Sequence, residues 1–155
     1  MIIHLAADHA GLEHKNAVLE WLQREGYSVV DHGAEDFVPT DDFPDFIEKA
    51  AAAVSADASS SRGIFFGGSG QGEAMVANRF PGVRAAVFYG GDKSIVPLSR
   101  QHNDANVLSI GARFVNLDLT KEVIWTWLHE PALTTEKYQR RNFKIESLTK
   151  DINKT

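Results

Sequence analysis

Short apolar runs alternate along this chain with segments whose apolar residues recur at helical spacing. The first example is a largely apolar run at residues 2–7, followed by Ala17, Val18, Trp21 and Leu22 on one face of a helix over residues 12–25. Gly26 follows as a left-handed cap. The whole pattern predicts strands at residues 2–7, 28–31, 64–67, 83–88 and 107–110, and helices at residues 12–25, 46–56, 73–79, 93–102, 117–129 and 134–149.

Strands that alternate with helices over short loops predict an α/β fold. We expect a three-layer, Rossmann-like sandwich with a five-stranded parallel sheet, helices on both of its faces and an extended C-terminal helix. The chain has 155 residues and no internal repeat, so we expect a single domain over residues 1–155.

Composition narrows the class of protein. The formal net charge of -5 argues against nucleic-acid binding, and the absence of cysteine excludes disulfides, thiolate metal sites and thiol catalysis. The N-terminal residues lack the pattern of a signal peptide, and no apolar run reaches membrane-spanning length. We therefore expect a cytoplasmic protein with no membrane partner.

Polar residues gather where three predicted strands end. Asp8 and His9 follow the first strand, a glycine-rich loop at residues 67–73 follows the third, and Arg113 closes a short turn after the fifth. Ligands of parallel sheets bind beyond the carboxyl ends of the strands. The sequence therefore predicts one crevice that collects these groups.

The glycine-rich loop contains Gly68, Ser69, Gly70 and Gly72 and ends at Glu73. Such a turn into a helix exposes N–H groups that bind a phosphate or an oxyanion formed during a reaction. A carboxylate at its lip repels phosphate but can remove a proton from a substrate. A dinucleotide loop is the alternative, although Glu73 stands where its third glycine belongs; a turn without a ligand is another.

Other candidates each have a structural alternative. Asp8 either handles hydroxyl protons or caps the following helix. His102 and Asn103 lie in a polar cluster, and His102 either moves protons or interacts with a helix dipole. Phe43 and Tyr89 line a pocket or belong to the core.

Basic and acidic groups raise two further alternatives. Phosphate anchors are expected among Arg113, Lys137, Arg140 and Arg141, although a basic run in a terminal helix is also typical of a solvated face. The acidic loop, which contains Glu35, Asp36, Asp41 and Asp42, is interpreted as solvated. No metal-ligand spacing such as H-E-x-x-H is present, so no metal is expected.

Five motifs occur together and in order: residues 7–11, 67–73, 77–78, 99–108 and 111–113. Together they resemble the type B ribose-5-phosphate isomerase family, which includes galactose-6-phosphate and allose-6-phosphate isomerases. The resemblance implies metal-free, cofactor-free interconversion of aldose and ketose phosphates through a cis-enediolate. It also implies a homodimer, sometimes a tetramer, with active sites between subunits.

Two positions depart from the common family pattern. Gly67 stands where many members carry a cysteine base, and the chain resembles a second branch that uses the glutamate, here Glu73. Lys137 stands where an arginine is expected, so the phosphate contact loses its paired geometry.

The resemblance implies a role for each candidate. Glu73 is the base, Asp8 moves protons between hydroxyls, His102 assists ring opening, and the default substrate pair is ribose 5-phosphate and ribulose 5-phosphate. Four- or six-carbon sugar phosphates and a non-catalytic binding subunit are the alternatives. The remaining contacts are enediolate binding by Ser69, Gly68, Gly70 and Gly72, sugar binding by His9 and Asn103, and phosphate binding by Arg113, Lys137 and Arg141.

Overall fold

The computed structural model describes residues 1–152 as five strands and six helices. The strands are β1 (Ile2–Ala7), β2 (Ser28–Asp31), β3 (Ser61–Gly67), β4 (Ala85–Phe88) and β5 (Val107–Gly111). The helices are α1 (Leu12–Arg24), α2 (Pro44–Ala56), α3 (Gln71–Ala77), α4 (Ile95–Asn103), α5 (Leu117–His129) and α6 (Glu136–Ile152). Among these residues, no helix combines the length and apolarity needed to cross a bilayer.

All strands pair in parallel, in the order β2-β1-β3-β5-β4. The predicted Rossmann-like sandwich is therefore confirmed. Apolar side chains of α1, α4 and α5 form one core with the sheet, and those of α2 and α3 form a second core on the opposite face. The long helix α6 packs on α4.

Several boundaries differ from those predicted. β3 begins at Ser61 because Ser61 and Arg62 pair with Ile2 and Ile3 of β1, although both are polar. Conversely, Val83 is apolar but belongs to a turn, where its N–H donates to the Phe80 carbonyl. Both strands begin where backbone hydrogen bonds to the neighbouring strand begin. The pattern of apolar residues along the chain does not report that pairing.

The strand order determines where a site can form. β1, β3 and β5 are consecutive neighbours, so the segments after their carboxyl ends lie side by side. Helices between parallel strands run in the opposite direction, so the carboxyl end of α4 lies at the other edge of the sheet. Predicted site residues that follow a strand therefore lie at one edge of the sheet, and those at the end of α4 lie at the other edge.

Candidate active site

A cleft of about 340 Å³ opens beyond the carboxyl ends of β1, β3 and β5. We call it the Glu73 cleft. Seven predicted site residues line it, together with Ala10, Phe43 and Phe114; the seven are Asp8, His9, Gly68, Ser69, Gly72, Glu73 and Arg113. The convergence expected from three strand ends is therefore present within one chain.

The glycine-rich loop is held against the end of β5. Gly70 precedes α3 with φ of 76°, and a Cβ there would lie 2.9 Å from the carbonyl carbon of Ile110. Ser109 Oγ donates to the Gly70 carbonyl at 2.6 Å, and the Ala112 N–H donates to the Gly67 carbonyl at 2.8 Å. Glycine is required at position 70 by both conformation and space, and the loop is thereby fixed in the cleft.

Glu73 lies in the first turn of α3 and is only 4% exposed. Burial raises the pKa of its carboxyl above the ordinary value, and the nearby Asp8 adds to this, while a hydrogen bond from its own backbone opposes it. A buried carboxyl with a raised pKa is suited to accept and return a proton.

Gly67 makes room for that carboxyl. A Cβ built at Gly67 would overlap the carboxyl group of Glu73, closer than any real contact allows. The carboxyl of residue 73 therefore occupies the volume into which a side chain at residue 67 would project. The glycine and the glutamate depend on each other.

Asp8 holds a turn with one carboxyl oxygen and also lines the cleft. Its Oδ1 accepts hydrogen bonds from the N–H groups of Ala10 at 3.0 Å and Gly11 at 3.2 Å, in the turn just before α1. Its other oxygen, Oδ2, lies 3.9 Å from His9 Nδ1. One oxygen caps the turn, and the other belongs to the cleft.

Asp41 corrects the interpretation of the acidic loop as solvated. Its side chain is 8% exposed, and its carboxylate accepts hydrogen bonds from His9 Nδ1 at 2.5 Å and from the His9 N–H at 3.0 Å. No spacing in the sequence indicates this contact across 32 residues. Asp8, His9 and Asp41 each offer one nitrogen or oxygen atom, and these three atoms lie within 4.8 Å of one another. That spacing is close enough for the three atoms to share a cation.

Arg113 packs against the glycine-rich loop. Its backbone N–H donates to the Gly68 carbonyl at 3.2 Å. A Cβ at Gly68 would lie 3.3 Å from its guanidinium. The resemblance implies that Arg113 binds phosphate, together with Lys137 and Arg141. The structure places Arg113 in the same cleft as Glu73, and its role as a phosphate anchor stays a prediction.

The remaining predicted residues lie elsewhere in the chain. His102 and Asn103 end α4, and Lys137 and Arg141 belong to the first half of α6; we call this region the α4–α6 corner. None of the four lines the Glu73 cleft. Asn103 instead lines a second cleft of about 330 Å³, with Arg84 and Ser99 among its neighbours. Within one chain, the structure does not assemble the full predicted set.

Aromatic contacts organise the α4–α6 corner. The His102 ring stacks on Tyr138 with centroids 4.4 Å apart and planes inclined by 11°. Lys137 Nζ lies 4.7 Å from the Tyr138 centroid, and Asn142 donates to the His102 carbonyl at 3.3 Å. Tyr138 and Asn142 are contacts that the sequence did not single out.

Known proteins share both the sequence and this architecture. Residues 3–145 match the family model described as Ribose/Galactose Isomerase. Ribose-5-phosphate isomerase B of Mycobacterium tuberculosis is 36% identical over 141 residues, covering 91% of this chain and 85% of that protein. The Escherichia coli enzyme of that name is 37% identical over 126 residues, covering 81% and 82%.

Solved structures agree with the sequence relatives. Mycoplasma genitalium ribose-5-phosphate isomerase B with bound ribulose-5-phosphate superposes with a TM-score of 0.90 at 34% identity, covering 96% of each chain. Ribose-5-phosphate isomerase B of Clostridium thermocellum gives 0.89 at 36% identity, covering 98% of this chain and 99% of that one. The chain therefore belongs to the ribose/galactose isomerase family.

Proposed function

We propose that this protein is an aldose–ketose isomerase of phosphorylated sugars that interconverts ribose 5-phosphate and ribulose 5-phosphate. One observation carries the proposal: the buried Glu73 carboxyl, with its raised pKa, shares a cleft with Asp8, His9 and Arg113. A base, a second carboxyl and a cation in one cleft provide the groups that proton transfer on a sugar phosphate requires. The relative from Mycoplasma genitalium, which binds ribulose-5-phosphate, supports the choice of substrate.

The proposed chemistry moves two protons and leaves the atom count unchanged. Glu73 removes the proton on C2 of the open-chain aldose, and the electrons form the C1–C2 double bond of a cis-enediolate. The Glu73 carboxyl proton exchanges in part with solvent during the lifetime of the enediolate, and Glu73 then donates a proton to C1, while Asp8, through Oδ2, transfers the hydroxyl proton from O2 to O1. The product is the ketose, and no oxidant, reductant or metal takes part in these steps.

The glycine-rich loop is proposed to stabilise the enediolate oxygen. The amides of Gly70 and Gly72 belong to the turn that begins α3, and N–H groups there have no intrahelical acceptor. Ser69 Oγ and the backbone at Gly68 complete this set. Donors of this kind contribute about 2.7–4 kcal/mol each to the transition state.

Gly67 and Glu73 support assignment of the chain to the branch that uses a glutamate base. The volume at position 67 is filled by the Glu73 carboxyl, and the chain contains no cysteine. No thiol is therefore available to act as the base. A carboxylate base at Glu73 accounts for both facts.

We also propose that the chain folds as one domain and assembles as a homodimer, or as a tetramer made of two such dimers, with each active site shared between subunits. His102, Asn103, Lys137 and Arg141 of the partner subunit would complete the Glu73 cleft, with Arg113 and the two α6 cations holding the phosphate. The α6 helix supports this arrangement, since Phe143 is 70% exposed on it. Burial of such apolar side chains drives association.

A substrate panel in D₂O tests the function. Erythrose 4-phosphate, ribose 5-phosphate and allose 6-phosphate are compared by kcat/KM, and deuterium incorporation at C1 of each ketose is measured by NMR. We expect the five-carbon sugar to have the highest kcat/KM and its product to carry solvent deuterium. A higher kcat/KM for the four- or six-carbon sugar would overturn the substrate, and a protein that binds sugar phosphates but neither converts them nor exchanges their protons would overturn the activity.

A further inference from the structure

The His9–Asp41 pair makes the shortest polar contact in the Glu73 cleft, at 2.5 Å between Nδ1 and Oδ1. A carboxylate can only accept a hydrogen bond, so the proton lies on His9 Nδ1. The other ring nitrogen, Nε2, is then left for a ligand in the cleft. We propose that Asp41 is a positioning residue that fixes the tautomer and orientation of His9, so that Nε2 contacts the sugar phosphate.

Two contacts hold the His9 ring, and a third holds its backbone. Asp41 binds both the imidazole and the backbone N–H of His9, so the main chain and the side chain are tied to one carboxylate. The Phe37 ring meets the imidazole edge-on, with centroids 5.9 Å apart and planes at 86°. A ring held by one hydrogen bond rotates about it, whereas these contacts define its plane.

The loop that carries Asp41 is otherwise exposed. Glu35, Asp36 and Val38 face solvent, yet the Asp41 side chain is 8% exposed. The Asp41 N–H donates to the Val38 carbonyl at 3.0 Å, which forms a turn that brings the carboxylate back to β1. Of the four acidic residues of the loop, Asp41 is the one whose carboxylate turns inward to a residue of the cleft, His9.

The inference rests on the proposed function, because Nε2 needs a substrate to contact. With Nδ1 protonated, a neutral His9 offers an Nε2 lone pair to a sugar hydroxyl, and a protonated His9 offers an N–H to an oxyanion. Asp8 Oδ2 lies 3.9 Å from Nδ1, and Arg113 lines the same cleft. A ligand that contacts Nε2 therefore also lies near a carboxylate and a guanidinium. In either protonation state, Asp41 directs Nε2 to the ligand.

A purely structural role is the alternative, in which Asp41 only anchors its loop to the His9 backbone. Asp41→Asn separates the two. Asparagine keeps the shape and an oxygen for the His9 N–H, but its amide donates to Nδ1 and thereby favours the tautomer protonated at Nε2. Asp36→Asn is the matched control, since it makes the same charge change on the same loop at an exposed residue.

The first experiment records imidazole nitrogens by long-range ¹H–¹⁵N NMR on full-length protein labelled at histidine. The pH is held above the ordinary range of histidine titration, and His9→Gln assigns the His9 signals. We expect Nδ1 to be protonated in the wild type and the Asp36→Asn variant, and Nε2 in the Asp41→Asn variant. An unchanged tautomer after Asp41→Asn overturns the proposal.

The second experiment measures steady-state kinetics with ribose 5-phosphate. We expect Asp41→Asn to lower kcat/KM by roughly 10–100-fold, the range found when a histidine loses its outer partner, and Asp36→Asn to match the wild type. A switched tautomer with unchanged kcat/KM overturns the proposal. Wild type that isomerises no sugar phosphate refutes the proposed function instead, and the NMR result then stands on its own. Thermal unfolding of each variant checks that the fold persists.

Discussion

The Glu73 cleft and the α4–α6 corner differ in how their side chains are held. In the cleft, Asp8 and Glu73 are buried, and Asp8 accepts hydrogen bonds from two backbone N–H groups. In the corner, Asn103, Lys137 and Arg141 are exposed. The sheet builds the first region within one chain, while the second exposes the charges of Lys137 and Arg141 beside a half-buried pair of stacked rings. This contrast is what the proposed shared site requires, with one region of the chain completing the other region of a partner subunit.

Topology explains the separation. The residues of the cleft follow β1, β3 and β5 directly, whereas His102 and Asn103 end a helix that runs back to the opposite edge. A second copy of the chain can bring such a corner to the cleft, since symmetric dimers place each surface twice. Mutations in each region, and mixtures of mutant subunits, test whether the two regions act together in a dimer.

The largest expected effect is on the cleft. Glu73→Gln removes the base but keeps the shape of the side chain, so kcat should fall by roughly 10²–10⁴-fold with KM little changed. Steady-state kinetics with ribose 5-phosphate measures this, and Glu35→Gln, at an exposed position, is the matched control. Near-wild-type turnover of the Glu73→Gln variant would show that another group is the base.

Subunit mixing tests the comparison directly. A Glu73→Gln dimer and a His102→Ala/Arg141→Ala dimer should each be nearly inactive. If each site takes Glu73 from one subunit and the corner from the other, a mixed dimer contains one intact site. Random reassortment then restores about a quarter of wild-type activity, because half of the dimers are mixed and half of their sites are intact.

The reassortment needs its own controls. Subunits are exchanged by unfolding and refolding together, and each variant is also refolded alone. Light scattering gives the mass of the assembly before and after. No recovery in a mixture shown by mass spectrometry to contain mixed dimers would place all of the catalytic residues within single subunits.

A smaller effect is expected from the shared volume of residues 67 and 73. Gly67→Ala should cost about 1–3 kcal/mol of unfolding free energy, because the added methyl overlaps the Glu73 carboxyl. In a Glu73→Ala background the same change should cost little. Urea denaturation of the four proteins gives the coupling energy. Equal costs in both backgrounds would mean that the methyl group meets some other part of the structure.

The smallest effect concerns stability and pH. Burial raises the folded-state pKa of Glu73, so its contribution to stability is fully present below the unfolded-state pKa and is lost as pH rises through the folded-state pKa. At neutral pH the wild type therefore carries the cost of a buried charge. Glu73→Gln should be more stable there by about 0.5–2 kcal/mol.

That gain should shrink in acid. Below the ordinary glutamate pKa of about 4.3, the wild-type carboxyl is protonated and resembles an amide. Urea denaturation of both proteins across this range measures the difference. A difference that is independent of pH would indicate that the gain arises from packing and not from the charge.

Much of the cleft could be predicted from sequence, for a physical reason. Asp8, Arg113 and the glycine-rich loop follow apolar runs, and parallel strands bring those ends to one edge. For these residues, the apolar runs in the sequence and the strand order of the sheet predict the same location. The resemblance to type B ribose-5-phosphate isomerases, which rested on these motifs, led to the family that the comparisons identify.

Other features depended on contacts that no local pattern reports. Asp41 reaches His9 across 32 residues from a loop whose neighbours are exposed. His102 was grouped with Glu73 by resemblance, but its place at the end of α4 follows from the direction of a helix. In both cases the missing information is three-dimensional: which way a turn folds back, and at which edge an element ends.

The overlap between residue 73's carboxyl and residue 67's missing side chain has a consequence for inheritance. Two positions that compete for one volume cannot change independently, because a side chain gained at one is harmful until the side chain at the other becomes shorter. A lineage that exchanges a base at one position for a base at the other must change both. Family trees should therefore show these two positions changing as a pair.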